Sequence, residues 1–254
     1  MYTKKIDVDT TALACLFSET QNKPAMVFLH GASSTNQIWL TQWMHFKDRM
    51  TVIIPDLPGH GDSTGNGSDS IDKYAEIVVR LIRKLDLGKC ILVGHSMGGA
   101  TAQKVAIAHP DLLAGLVLVS TGSRLRVASQ VFSSIETDYR QYIELATSFS
   151  LYESADEQTK NMFKNILSVL SPKVAYNDFM ACNKFDVMNE IAGIHTRTLI
   201  IAGDKDMLTP LKYSQFMHQK IANSQLDIIR DAGHMVMMEK PDDVNSSLSG
   251  FLKG

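Results

Sequence analysis

The sequence predicts an α/β fold: a mostly parallel, eight-stranded sheet with helices on both faces and a helical segment inserted after the sixth strand. Three observations predict it. Short β-branched or aliphatic runs alternate with longer stretches of helical periodicity. The runs are apolar at consecutive positions, as strands covered on both faces are. The alternation breaks once, over a stretch too long to be a structureless loop in a compact domain.

Taken in order, the first twenty residues hold two half-apolar runs, which fit an antiparallel hairpin at one sheet edge. "AMVFL" (25–29), "TVIIP" (51–55), "CILVG" (90–94), "GLVLVS" (115–120), "RTLIIAG" (197–203) and "QLDIIR" (225–230) read as strands. The clearest helix covers 70–86, where Ile71, Tyr74, Ala75, Val78, Leu81, Ile82 and Leu85 recur at three- and four-residue steps. Others fall at about 97–109, 210–221 and 241–252. Strand–helix alternation requires crossovers, and crossovers are right-handed and give parallel pairing. From Gly122 to Glu190 the strand pattern stops and helical patterns take over. Residues 1–121 and 191–254 are therefore expected to form the core, and 122–190 a helical cap. Its many aromatics, from Phe132 to Phe185, can build its own small core, and some can line a pocket against the sheet edge.

The 254 residues are 44% hydrophobic and 20% charged, with a formal net charge of −2. That balance gives no global attraction to nucleic acid or acidic lipid. No apolar run reaches the roughly 20 residues of a membrane helix, so no membrane span is expected. Polar residues break the N-terminal apolar run, which does not read as a secretory signal. The three cysteines, Cys15, Cys90 and Cys182, have no paired spacing and read as buried thiols in a reducing compartment, hence a cytoplasmic location. No metal-ligand spacing, phosphate loop or dinucleotide fingerprint is present, so neither metal nor cofactor is expected. No feature of the sequence specifies an oligomeric state.

The chemistry is concentrated in "LVGHSMGGATAQ" (92–103). A Gly-x-Ser-x-Gly arises by chance in roughly one chain of this composition in ten. Here it has a strand in front and a helix behind, so Ser96 occupies a sharp strand-to-helix turn. Such a turn forces its apex residue to positive φ and lifts the side chain clear of the sheet. Positions two residues either way then press together, and Gly94 and Gly98 remove the clash. The hydroxyl ends up at a helix N-terminus, where free N–H groups favour negative charge. The N–H of Met97, directly after Ser96, is a candidate oxyanion donor.

On these residues the chain resembles the α/β-hydrolase fold superfamily, in its capped, serine esterase-like branch, over essentially its whole length. The resemblance implies nucleophile, acid and histidine in that chain order. His234, in "RDAGHMVMMEKP" after the last strand, stands where this fold carries its base. "AGDKDMLTP" (202–210) offers Asp204 and Asp206 at the end of a strand. The residues alone favour Asp206 only slightly; the resemblance selects it as the acid, leaving Asp204 to tie down the loop. The resemblance also makes Ala32, after His30-Gly31, the second oxyanion donor. His30 and His60 are expected to hold loop backbone, and His95 to pack against a strand end.

The expected activity is hydrolysis of small or medium, largely apolar carboxylic esters through an acyl-enzyme. Cap aromatics with Met162, Met180 and Met188 would form the pocket. A C–C bond hydrolase, an enol-lactonase or a related triad enzyme would use the same three residues, because fold does not choose the reaction. A binding protein on an inactive hydrolase fold would have lost one of them, and all three are present.

Overall fold

The computed structural model describes residues 2–20 and 24–253. The chain opens with the hairpin β1 (Tyr2–Val8) and β2 (Thr11–Phe17), followed by β3 (Met26–Leu29). Helix α1 (Leu40–Phe46), β4 (Val52–Pro55), α2 (Ile71–Lys84), β5 (Cys90–His95), α3 (Met97–Ala108) and β6 (Leu113–Val119) come next. Four helices then intervene: α4 (Ser129–Thr137), α5 (Tyr139–Ser150), α6 (Glu157–Ser168) and α7 (Pro172–Lys184). The core resumes with β7 (Thr198–Gly203), α8 (Leu211–Lys220), β8 (Ser224–Ile229), α9 (Val236–Glu239) and α10 (Pro241–Lys253).

The eight strands form one sheet in the order β1-β2-β4-β3-β5-β6-β7-β8. β1 and β2 are antiparallel to each other and β2 is antiparallel to β4. Every pairing from β4 through β8 is parallel. The apolar runs have the predicted two-sided burial. Along β3, Val27 and Leu29 pack into one core layer while Met26 and Phe28 pack into the other. Along β5, Leu92 faces the first layer and Ile91 and Val93 the second. Successive side chains on a strand point to opposite faces, so one continuous apolar run supplies both layers. The first layer holds Tyr74, Val78 and Leu81 of α2 and Val105 of α3. The second holds Trp43 and Phe46 of α1 and Val244, Leu248 and Phe251 of α10.

β8 departs from the expected pattern. Among the described residues it pairs only with β7, and Ile228 is 44% exposed, so it is a half-covered edge strand and not one buried on both faces. Cys15, Cys90 and Cys182 are buried free thiols. Among the described residues no helix is long and apolar enough to cross a membrane.

Local signals start the inserted helices. Asp138 accepts hydrogen bonds from the Arg140 and Gln141 N–H groups at the start of α5, and Asp156 accepts one from Thr159 N–H at the start of α6. Pro172 opens α7, where its missing N–H costs nothing. Ile135, Tyr142, Leu170, Val174 and Ala175 make a separate small core within this segment.

Candidate active site

Ser96 lies between β5 and α3 with φ 50° and ψ −114°. The strained conformation is held from both sides. Ser96 N–H donates to Val119 O at 3.0 Å, and Ser96 O accepts from Ala100 N–H at 3.0 Å. Ser96 O also accepts from the Thr121 hydroxyl at 2.8 Å. The glycines are needed for close approach. A Cβ on Gly94 would collide with the Gly98 carbonyl, and one on Gly98 would lie 2.5 Å from Leu29 O. On Gly99 a Cβ would meet the Thr121 side chain at 2.6 Å.

His234 sits in the loop between β8 and α9 and is 5% exposed. Its Nδ1 is 2.9 Å from Asp206 Oδ2. A carboxylate accepts, so the His234 Nδ1–H donates to it. The Asp206 carboxylate also accepts from Leu208 N–H at 2.9 Å, Thr209 N–H at 2.8 Å and the Thr209 hydroxyl at 2.7 Å. Burial pushes the Asp206 carboxyl up, but His234 and these donors outweigh it and hold it below its ordinary value. Asp204, expected to tie the loop, instead sits 3.3 Å from the Lys205 ammonium, and the loop is tied by Asp206 itself. Thr209 escaped the sequence reading, although a threonine three residues after an aspartate is a recognisable loop-closing signal.

Ala32, Ser96 and His234 line one cavity of about 360 Å³. No hydrogen bond joins the Ser96 hydroxyl to His234 among the described residues. Such bonds are commonly long or misaligned until substrate binds. The Met97 N–H is the first of α3 and has no partner within its helix. Ala32 follows Gly31, whose carbonyl accepts from His30 Nδ1 at 2.8 Å. His30 Nε2 in turn accepts from Leu57 N–H at 2.9 Å, which fixes the neutral tautomer. In a trans peptide the C=O and the next N–H point opposite ways, so the His30–Gly31 bond also aims the Ala32 N–H. A Cβ on Gly31 would lie 2.7 Å from His95 Nδ1. His95 Nε2 is 3.1 Å from the His234 carbonyl and holds the histidine loop. Burial, reinforced by His234, keeps the His95 imidazole well below its ordinary pKa and therefore neutral.

The cavity wall is largely apolar, with Leu125, Tyr142, Phe149, Phe163 and Phe179 from the inserted segment. Met162, Met180 and Met188 are not on it; the methionines that line it are Met207 and Met235, from core loops. Of the arginines in the insertion, Arg124 faces Asp186 at 3.6 Å and Arg126 is exposed on the cavity wall.

Residues 26–247 match a family model described as "Alpha/beta hydrolase family". The 3-oxoadipate enol-lactonase 1 of Acinetobacter baylyi is 26% identical over 240 residues, covering 92% of this chain and 90% of that protein. A solved thermophilic esterase is 32% identical, with a TM-score of 0.86 over 99% of this chain and 97% of that one. The enol-lactonase from Burkholderia xenovorans superposes with a TM-score of 0.93 over 99% of this chain and 100% of that one, at 20% identity, a likeness of fold alone.

Two outcomes are expected. Gly98→Ala places a methyl 2.5 Å from Leu29 O; overpacking of this kind costs about 1–3 kcal/mol, readable in urea unfolding. The depressed Asp206 carboxyl contributes stability that is present above its ordinary value of 3.8 and is lost as pH falls through its lower folded value. The unfolding free-energy difference between the wild type and Asp206→Asn is therefore steady above about pH 5 and shrinks as pH is lowered through 3.8 and below, measured by denaturant titration at each pH.

Proposed function

This chain is a member of the alpha/beta hydrolase family, and from that premise we propose that it cleaves carboxylic esters of small or medium, largely apolar substrates through a serine acyl-enzyme. One observation carries the reading: Ser96, raised on its strained turn, and His234, clamped to Asp206, open onto the same apolar cavity. In this reading residues 122–190 act as a cap over the site, and the protein works in the reducing cytoplasm, a location that the three buried free thiols support.

A serine hydroxyl is a weak nucleophile until a base takes its proton. His234 Nε2 accepts the Ser96 proton as Oγ attacks the ester carbonyl, and Asp206 stabilises the resulting imidazolium while staying ionised. The carbonyl oxygen becomes an oxyanion, held by the N–H groups of Ala32 and Met97. Donors of this kind contribute roughly 10²–10³ in rate each. His234 then protonates the leaving alcohol. Water, deprotonated by the same imidazole, attacks the acyl-enzyme and frees Ser96.

A lactone runs through the same steps with its alcohol tethered to the acyl group. The likeness to a protein named 3-oxoadipate enol-lactonase favours keeping that as the second reading. A cavity of about 360 Å³ is near the small end for ligand sites and suits either substrate.

Ser96→Ala is expected to lower turnover of p-nitrophenyl acetate by at least about 10³-fold and to abolish labelling by a serine-reactive phosphonate. Retained turnover in that variant overturns the acyl-enzyme reading. Protonated His234 cannot act as base, so kcat/KM is expected to fall about tenfold per pH unit on the acid limb. A profile of rate against pH checks it, and a flat limb removes His234 from the role.

A further inference from the structure

Asp178 on α7 belongs to the inserted segment, yet its side chain is fully buried against the core. Its carboxylate collects three donors from three different places. Ser33 N–H donates to Oδ2 at 2.9 Å. The Tyr74 hydroxyl of α2 donates to Oδ1 at 2.5 Å. His60 Nε2 lies 2.7 Å from Oδ2. Tyr74 is committed to this direction because its oxygen already accepts from Ser68 N–H at 2.9 Å.

His60 has acceptors on both sides. Nδ1 faces the Pro58 carbonyl at 3.0 Å and the Leu57 carbonyl at 3.2 Å, while Nε2 faces the carboxylate. Among the described residues neither ring nitrogen has a donor to accept from, so both carry protons. Burial works against the charge, but Asp178 outweighs it and raises the imidazole above its ordinary value. The result is a fully buried imidazolium–carboxylate pair between the insertion and the core. A buried charge pair of this kind persists only when its remaining lone pairs and protons are also satisfied, as they are here.

The position of Ser33 gives the pair a consequence. Ser33 is one residue beyond Ala32 and has φ 56°, a conformation that needs an external hold. The His30 bond pins the Gly31–Ala32 peptide, and the Asp178 bond pins the Ala32–Ser33 peptide that follows. Together the two bonds restrain φ and ψ of Ala32 and with them the direction of its N–H. Farther along the same loop, Asn36 N–H donates to Asp56 Oδ1 at 2.7 Å, so the Asp178 contact is the hold at the catalytic end.

We propose that Asp178 is a positioning residue for ester hydrolysis: from the inserted segment it fixes Ser33 N–H and thereby aims the Ala32 N–H at the developing oxyanion. The proposal rests on the acyl-transfer reading above. It makes an assembled oxyanion site depend on a seated α7, because the carboxylate travels with that helix.

The test is steady-state hydrolysis of p-nitrophenyl acetate with Asp178→Asn, alongside the rate of phosphonate labelling of Ser96. Asparagine keeps the shape but cannot accept from all three donors. The expected result is a fall in kcat of about 10- to 100-fold with KM within about threefold, and labelling slowed by a similar factor, because a donor lost from the transition state lowers kcat and not substrate binding. Asn177→Ala is the comparison. It removes another α7-to-core contact, Asn177 Nδ2–H to Asn66 O at 3.2 Å, without touching Asp178, and is expected to keep kcat within about twofold. If Asp178→Asn keeps the wild-type kcat, or loses only KM, the positioning role is wrong. Should that variant fail to fold, Tyr74→Phe leaves the carboxylate with two donors. It is expected to speed hydrogen exchange at the Ser33 amide and lower kcat about three- to tenfold, and no change in either overturns the proposal. Turnover surviving in Ser96→Ala would instead overturn the acyl-enzyme reading, a separate outcome.

Discussion

The close approach of β5 and α3 around Ser96 constrains everything near it. A turn this tight exists only where carbon atoms are missing: at Gly94 against the Gly98 carbonyl, and at Gly98 against the Leu29 and His30 carbonyls. That second contact ties the turn to the loop after β3, so the serine and the Ala32 backbone are placed by a single packing arrangement. Positive φ at a serine carries a local cost. It is sustained by hydrogen bonds to Val119, Ala100 and Thr121, contributed by the adjacent strand end, the helix and the loop after β6. The geometry around Ser96 is therefore a property of the sheet's C-terminal edge, where open α/β sheets place their ligands.

The inserted helices do more than roof the cavity. The Ser150 carbonyl at the end of α5 accepts from His234 N–H at 2.8 Å and Met235 N–H at 3.1 Å. Glu239 spans the same junction, accepting from Tyr152 N–H at 2.8 Å and Gly233 N–H at 3.1 Å. A Cβ on Gly233 would lie 2.7 Å from Tyr152 N, so the histidine loop and the segment after α5 lie nearly backbone to backbone. Through these contacts and that of Asp178 with Ser33, the insertion holds both the loop that carries the candidate base and the loop that carries a candidate oxyanion donor. Movement of the insertion would shift both loops as well as the cavity wall.

What was legible in the sequence was whatever rests on local pattern. The parallel strands announce themselves because a run apolar at every position has only one comfortable place, between two layers of helix. Ser96 announces itself because glycines at fixed offsets mark a steric requirement. Helix α1 did not: seven residues carrying Gln42 and His45 among Leu40, Trp43 and Phe46 give too short a window for periodicity. The sequence presents β8 as fully covered, because its apolar content does not reveal that among the described residues it stands at the end of the sheet. Asp178 and Glu239 were invisible for a different reason. Their partners lie 145 and 87 residues away in sequence, at Ser33 and Tyr152, and an aspartate or glutamate in a helical stretch looks like any solvated residue. The pocket methionines were misplaced likewise, since periodicity cannot say which helix face meets the cavity and which meets solvent.

The two carboxyls flanking His234 have opposed electrostatics, and the contrast explains why one of them can serve it. Glu239 accepts two backbone N–H groups, but burial dominates and raises it above its ordinary value. Asp206 is buried more deeply, yet it sits below its ordinary value, because His234 Nδ1–H and the Thr209 donors face its charge directly. A carboxylate that takes up the proton ceases to stabilise an imidazolium, so a partner for the base must keep its charge through the cycle. In the acyl-transfer proposal, environments that push two neighbouring carboxyls apart in this way favour Asp206 as the partner of the imidazole. Asp206 is built to stay charged beside the imidazole, and Glu239, bound to backbone amides of both the insertion and the histidine loop, is built to hold the two together.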